Sequence, residues 1–282
     1  ADFRGSAMCG VDDWKGQSTP KIEGVQFIPP AFEDIPPFDP KKQIQPRQMK
    51  SWFGEHVPQS STPIALIEAG QLGVGGFRRI QTEWMRAFAE EIRRKGGILI
   101  CDAVQTFPGR TMEGLWGFER WAKTPEDAPD IVTTAKGLGN GLPIGLVAVR
   151  KDLAERVDGK WFDTFAAQPM QAAVGTEVFQ RMKEESLQEN MRDRTGELRR
   201  GLGEMAGKLS GKIRGVVGAG LMSGLAVDPK KLMDIRAAAF DNGLIVATGA
   251  DGTLRLAPHY DASSQSIDEG IRALHDAIAK VG

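Results

Sequence analysis

Three short apolar runs, each ending at one polar side chain, constrain the fold of this 282-residue chain more than any other feature. The runs are PIALIEAG, ILICDAVQT and DIVTTAK, and the polar residues at their ends are Glu68, Asp102 and Lys136. Apolar residues that are continuous rather than alternating indicate strands covered on both faces, as in parallel sheets. A helical repeat of apolar residues from about Arg78 to Lys95 separates the first two runs, which predicts a βαβ unit. With a fourth run, PIGLVAVR, this region predicts part of an open α/β sheet.

The pattern changes after Pro169, where two long helical stretches begin. Short strands, a helix, a hairpin turn and a last amphipathic helix follow them. The strands, the helix and the turn are predicted at 213–217, 221–227, Pro229–Asn242 and 250–252. We therefore expect residues 1–168 to form a large cofactor-binding domain, and residues 169–282 to form an interdomain helix and a small α+β domain.

Composition excludes several classes of partner. A formal net charge of −1 gives no electrostatic reason to expect nucleic acid or an anionic membrane surface, and no apolar run approaches the length of a membrane span. Three histidines in unrelated contexts show no metal-ligand spacing, so we expect no metal. Two cysteines, Cys9 and Cys101, favour a reducing compartment, the cytoplasm, or the mitochondrion if a targeting segment precedes the chain.

The three polar strand ends suit one kind of chemistry when they are taken together. Functional groups gather at the carboxyl ends of strands in open α/β sheets, although each group taken singly could belong to a structural ion pair. A lysine that forms a Schiff base needs a fixed stem and partly dehydrated surroundings. Pyridoxal phosphate also needs a carboxylate facing its ring nitrogen, which keeps the ring an electron sink. Lys136 and Asp102 fit these two roles, and the glycines after Lys136 allow a close approach of the backbone.

These residues lie in motifs that resemble a known family. The sequence ICDAVQTFPGRT, followed by DIVTTAKGLGNGLPIGLVAV, resembles the signature of the class III pyridoxal-phosphate-dependent aminotransferases. The similarity continues through TFAAQPMQAA, GAGLMSGLAV and TLRLAP, and so covers nearly the whole chain from about Pro63. It implies transferase fold type I, with a mostly parallel sheet in the large domain. It also implies transfer of an amino group from an amino acid or ω-amine to a 2-oxo acid.

The resemblance implies a role for each matching residue around the cofactor. Lys136 would form the Schiff base and then move the proton between the substrate carbon and the cofactor. Asp102 would pair with the pyridinium nitrogen, Val104 would pack on the ring face, and Gln105 would hydrogen-bond the ring hydroxyl. Phe3 falls where the family places an aromatic ring stacked on the cofactor.

Three further residues concern the substrate and the partner subunit. Thr164 would reach the cofactor phosphate of a neighbouring subunit, which implies a homodimer with shared active sites. Arg255 would bind the substrate carboxylate in a two-pronged ion pair. Glu68 matches a glutamate that can pair with that arginine when no carboxylate is present.

The sequence also departs from the family pattern. The usual N-terminal segment, with its phosphate-binding loop at a helix start, has no counterpart. Ala69, Ala103, Phe107 with Pro108, and Ser6 replace residues that are common in the family. These changes are expected to affect substrate choice and activity more than the fold.

Other functions stay open beside the aminotransferase. A decarboxylase or aminomutase of the same fold would use the same lysine and aspartate, and a catalytically silent, truncated relative could serve as a structural or dimerisation protein. A nucleotide-binding module is disfavoured, because the glycines after Glu68 place Arg78 where G-x-G-x-x-G needs its third glycine.

Overall fold

A computed structural model of the chain describes residues 24–33, 43–159, 164–166, 168–249 and 252–281. The helices are α1 (Met49–His56), α2 (Thr82–Arg94), α3 (Lys151–Ala154), α4 (Pro169–Arg181), α5 (Glu185–Lys208), α6 (Leu232–Asp241) and α7 (Ser264–Val281). The strands are β1 (Ile64–Glu68), β2 (Ile98–Asp102), β3 (Ile131–Thr134), β4 (Leu146–Val149), β5 (Ile213–Ala219), β6 (Met222–Val227), β7 (Ala247–Gly249) and β8 (Thr253–Leu256). Within the described ranges, 3-10 turns lie at Pro46–Gln48, Gly117–Arg120, Pro125–Asp127 and Lys136–Gly139.

The first sheet has the strand order β1-β2-β3-β4. Strands β1, β2 and β3 are parallel and β4 is antiparallel to β3, so the predicted βαβ unit is confirmed. Helix α2 begins at Thr82, four residues later than the sequence predicted from Arg78. The reason is a folded-back loop: Gln71 bridges Arg79, and Leu72 donates a backbone hydrogen bond to Arg78.

The core of this sheet lies on one face only. Helix α2 packs its apolar side there, where Trp84 stacks on Phe88, and Trp121 from the β2–β3 connection joins the same cluster. Both connections cover the same face because successive right-handed crossovers that move in one direction stay on one side of a sheet. Burial of each large apolar side chain in such a cluster contributes roughly 1.5–3 kcal/mol.

The opposite face of the first sheet is exposed and aliphatic. Its most exposed side chains are Ile64, Leu66, Val147 and Val149, between 40% and 69% exposed, and we call these four residues the open aliphatic face. The expectation that the strands are covered on both faces is therefore wrong for the described part of the chain. The crossovers cover one face, whereas on the second face the outer strands β1 and β4 stay largely exposed.

The second sheet is antiparallel, with the order β5-β6-β8-β7. Helices α5, α6 and α7 enclose its main core, which includes Leu202, Ile235 and Leu274. The two helices after Pro169, the paired β5 and β6, and the β7–β8 hairpin confirm the predicted elements, and α6 begins three residues later than predicted. In the residues described, no helix combines the length and the apolar character needed to cross a bilayer.

Candidate functional site

Two carboxylates lie side by side where the parallel strands end. Glu68 of β1 and Asp102 of β2 are direct partners in the sheet register, and Asp102 is in turn the partner of Thr133 in β3. Neighbouring strands are about 5 Å apart, so the two acids occupy adjacent positions at one edge. Side chains alternate along a strand, and Glu68 therefore shares its face with Ile64 and Leu66 of the open aliphatic face.

Lys136 opens the 3-10 turn that follows β3. Its φ angle is +39°, which is rare for a residue with a side chain and persists only where the surroundings impose it. The side chain is exposed rather than partly dehydrated as the sequence predicted. This difference follows from its position, because the turn lies at the edge of the sheet beside the uncovered face.

The charges at this edge act on one another. Burial raises the pKa of Glu68 to about 7, a hydrogen bond from Gly73 opposes the rise, and the charge of Asp102 adds to it. The positive charges of Lys136 and Arg255 both lower the pKa of the same carboxyl. Four of the residues singled out in the sequence therefore form one electrostatic cluster, and we call Glu68, Asp102, Lys136 and Arg255 the strand-end cluster.

Arg255 reaches the strand-end cluster from β8 of the second sheet. Its Nη1 donates a hydrogen bond to the carbonyl of Gly73 at 3.0 Å, and its guanidinium carbon lies 5.3 Å from the centre of the Phe77 ring. Its Nε is buried and has no hydrogen-bond partner among the described residues. Burial lowers the pKa of Arg255, and the charge of Glu68 opposes this shift. One donor of the guanidinium is thus left for another acceptor.

Gly73 joins three of the predicted residues and was missed by the sequence analysis. Its amide donates to Glu68 Oε2 at 2.6 Å, while its carbonyl accepts from Arg255. A Cβ at this position would overlap the side chain of Gln105, which packs against the glycine. Glu68 and Arg255 are therefore linked through Gly73, and no ion pair joins them directly among the described residues. The row of glycines after Glu68 was the available signal.

The other predicted residues are Asp102, Val104, Gln105, Thr164 and Phe3, and the structure describes all of them except Phe3. Asp102 accepts a hydrogen bond from the backbone amide of Val104 at 2.9 Å, which fixes the start of the turn that carries Val104 and Gln105. Thr164 is exposed, and its carbonyl accepts a hydrogen bond from Gln168 at 3.3 Å; no described contact joins it to the strand-end cluster. Phe3 lies outside the described residues.

The departures from the family pattern have structural counterparts. Ala69 and Ala103 are buried, and Phe107 packs with its ring centre 4.3 Å from that of Trp116. Ser6 lies outside the described residues. Over the ranges that the structure describes, no group of three His, Cys, Asp or Glu side chains could hold a metal ion.

Comparison with known proteins gives a consistent result. The model of the Aminotransferase class-III family matches residues 6–278. A Thermosynechococcus vestitus protein named acetylornithine aminotransferase is 35% identical over 229 residues, which are 79% of this chain and 53% of that protein. A Homo sapiens protein named alanine–glyoxylate aminotransferase 2, mitochondrial, is 37% identical over 140 residues, which are 47% of this chain and 26% of that protein. The chain spans about half the length of the curated acetylornithine aminotransferases it matches.

Solved structures show the same fold. A Bacillus anthracis aminotransferase superposes with a TM-score of 0.83 at 23% identity, over 99% of this chain and 67% of that one. A transaminase from the marine bacterium Virgibacillus superposes with a TM-score of 0.84 at 21% identity, over 100% of this chain and 65% of that one. The predicted fold class, transferase fold type I, is confirmed.

Proposed function

Because this chain belongs to the class-III aminotransferase family, we propose that it transfers an amino group from an amino acid or ω-amine to a 2-oxo acid, with pyridoxal 5′-phosphate as its cofactor. The strand-end cluster carries this proposal, because it gathers an amine, two carboxylates and a guanidinium at the edge of the sheet. A lone lysine or aspartate would not support it.

The described residues fit the cofactor. Lys136 offers an exposed amine on a constrained turn, and Asp102 lies at the end of the neighbouring strand with one oxygen already held by a backbone amide. In the proposal Lys136 holds the cofactor aldehyde, Asp102 holds its ring nitrogen, Val104 covers the ring face and Gln105 meets the ring hydroxyl. When bound, pyridoxal phosphate supplies an electron sink for the electron pair released at the substrate carbon.

The protein's own groups then have separate tasks. Lys136 would take the proton from the substrate carbon at its Nζ and deliver it to the cofactor carbon that carried the aldehyde, while Asp102 would keep the ring nitrogen protonated. Arg255, held in place by its hydrogen bond to the Gly73 carbonyl, binds the substrate carboxylate through its guanidinium, a group suited to a two-pronged ion pair. A Glu68 carboxyl with a pKa of about 7 is partly neutral near neutral pH, so it competes less with that carboxylate for the guanidinium.

Several relatives at 30% identity or more are named acetylornithine aminotransferase. N-acetylornithine is therefore the first amino donor we propose, with a 2-oxo acid as the acceptor. The active unit in this proposal is a homodimer in which Thr164 faces the partner's cofactor phosphate. Thr164 is exposed, which is compatible with a position facing a partner subunit. A reducing compartment is proposed from the cysteines, of which Cys101 is a buried free thiol.

The decisive experiment follows the cofactor on Lys136. Purified chain mixed with pyridoxal phosphate should show the shifted visible absorption of cofactor bound to an amine, and borohydride should fix the label on the peptide that contains Lys136. The Lys136→Ala variant should lose both signals, whereas Lys151→Ala, which removes another exposed lysine, should keep them. Equal labelling of the Lys136→Ala variant would contradict the proposal.

A second stage separates the remaining alternatives. N-acetylornithine should bleach the visible band and 2-oxoglutarate should restore it. Release of CO₂, or conversion without an oxo-acid acceptor, would point to a decarboxylase or an aminomutase of the same fold. A band that forms but resists every amino donor would identify a catalytically silent relative.

A further inference from the structure

The turn that carries Lys136 is enclosed from two directions. A Cβ built on Gly137 would lie 3.1 Å from Pro108 Cδ and 3.3 Å from the carbonyl oxygen of Phe107. Both of those residues follow β2, the strand that ends in Asp102. From the other direction, the same Cβ would lie 3.6 Å from the hydroxyl oxygen of Tyr260. Gly137, the residue next to Lys136, therefore lies beside Tyr260 of the C-terminal part of the chain.

Tyr260 is itself firmly held. The guanidinium of Arg110 lies 4.4 Å from the centre of its ring, a cation–π contact. Asn190 of α5 donates a hydrogen bond to the Tyr260 carbonyl at 2.8 Å, and the ring packs on a buried cluster that contains Met191 and Leu221. Burial raises the pKa of Tyr260, against the opposing charge of Arg110, so the hydroxyl is neutral at physiological pH.

Arg110 also forms hydrogen bonds that link the first half of the chain to the second half. Its Nη1 donates to the carbonyls of Pro258 at 2.8 Å and Leu221 at 3.3 Å. Its own carbonyl accepts a hydrogen bond from the Leu221 amide at 2.9 Å. Arg110 lies in the segment after β2, and Pro258 and Leu221 belong to the second sheet and its connections. The loop beyond Asp102 is therefore bonded to the part of the chain that presents Arg255.

We propose that Tyr260, held by its cation–π contact with Arg110, is a positioning residue. It fixes the conformation of the turn that carries Lys136 and the distance between Lys136 and Arg255. Tyr260 lies five residues after Arg255, and its hydroxyl lies beside Gly137, the residue after Lys136. One side chain thereby sets the spacing between the group that would bind the substrate carboxylate and the amine that would act on the substrate carbon. The inference deepens the proposed function and rests on it for the chemistry of these two groups.

Amide hydrogen exchange tests the positioning without any cofactor. Within the turn and just beyond it, the amides of Leu138, Asn140 and Leu142 donate to backbone carbonyls. Tyr260→Ala should speed their exchange at least tenfold under native conditions, on the order of the change that loss of a local constraint produces. Tyr260→Phe keeps the ring and its packing but removes the hydroxyl oxygen that lies nearest to Gly137, so it should speed exchange less than Tyr260→Ala does.

A matched control separates this role from general stability. Leu274→Ala removes a fully buried side chain from the core of the second sheet. It should lower the stability of the chain while leaving the exchange of the Lys136 turn unchanged. If Tyr260→Ala and Leu274→Ala speed exchange at the turn equally, the positioning role is wrong. If Tyr260→Ala does not fold, Arg110→Met takes its place in the exchange experiment, because it keeps the tyrosine but removes the cation–π contact that holds it. Faster exchange at the Lys136 turn is then the expected result, and unchanged exchange would overturn the positioning role.

Kinetics of the loaded enzyme give a second readout. Per bound cofactor, Tyr260→Ala should lower kcat about tenfold or more, because a misplacement of about 1 Å can cost up to about 100-fold in rate. The KM for the amino donor should rise as well, since Arg255 shifts with the same segment. Failure to bind pyridoxal phosphate would defeat the proposed function but leave the exchange result standing. Normal cofactor binding with unchanged exchange and kcat in Tyr260→Ala would defeat the positioning role alone.

Discussion

Glu68 is the residue whose protonation most directly connects the site to the stability of the chain. Its carboxyl has an ordinary pKa of 4.5, and burial together with the nearby Asp102 raises the pKa to about 7 in the folded state. Between these two values the folded chain retains a proton that the unfolded chain has released. The stability of the chain therefore falls as the pH rises through this window.

The corresponding prediction compares the native chain with Glu68→Gln. One pKa unit corresponds to about 1.4 kcal/mol, so the free energy of unfolding of the native chain should lose up to about 3 kcal/mol between pH 4.5 and pH 7 through this group. Glu68→Gln keeps an acceptor for the Gly73 amide and should remove that loss. Urea unfolding at several pH values measures the difference, with Glu90→Gln on the exposed side of α2 as the control. Parallel pH profiles for the native chain and Glu68→Gln would contradict the assignment.

At the scale of the elements, α2 is the helix on which the first sheet depends for its core. Its inner side includes Trp84, which is fully buried and stacks on Phe88 with ring centres 5.0 Å apart. The neighbouring α1 carries Trp52 on its partly exposed side, where it stacks on His56. The two tryptophans therefore offer a comparison between a core position and a peripheral one.

We expect Trp84→Ala to reduce the free energy of unfolding by about 3–5 kcal/mol, because it removes apolar contacts and leaves a cavity. Trp52→Ala should cost much less, since its ring is partly in water already. Denaturant unfolding of both variants checks the prediction. Similar losses for the two substitutions would show that α2 does not carry the core of this sheet.

Much of this element structure could be predicted from local pattern. Apolar runs marked the strands of the first sheet, and because strand ends converge, Glu68, Asp102 and Lys136 could be placed together. The late start of α2 could not be predicted, since long-range backbone bridges, not local sequence, keep Arg78 out of the helix. The placement of Tyr260 beside the Lys136 turn also leaves no local signal, because the two segments are far apart in sequence.

At the scale of the whole molecule, the two sheets differ in how much of their surface is covered. The antiparallel sheet has a closed core beneath three helices, whereas the first sheet presents the open aliphatic face to solvent. The face continues across the sheet through Ile100 and Ile131, which lie in register between Leu66 and Val149, and contiguous exposed apolar surface favours association. It also lies on the side of the sheet that carries Glu68.

The chain should therefore associate with itself as its concentration rises and should bind a hydrophobic dye. Leu66→Lys combined with Val149→Lys should weaken both effects, as measured by light scattering and dye fluorescence. Ile245→Lys is the matched control, because Ile245 is 84% exposed but lies in the second half of the chain. Equal reductions by the control would show that the open aliphatic face has no special part in the association.

Gly73 has a practical consequence for recombining this chain with its relatives. Arg255 meets the first half of the molecule at a main-chain carbonyl, and Glu68 meets the same residue at a main-chain amide. Hybrid proteins that exchange the segment beyond residue 168 would thus preserve this junction wherever the donor supplies an arginine at position 255. The other contacts between the halves, such as those of Arg110 with Pro258 and of Phe77 with Met222, depend on side chains of the first half and would have to be matched by the donor segment.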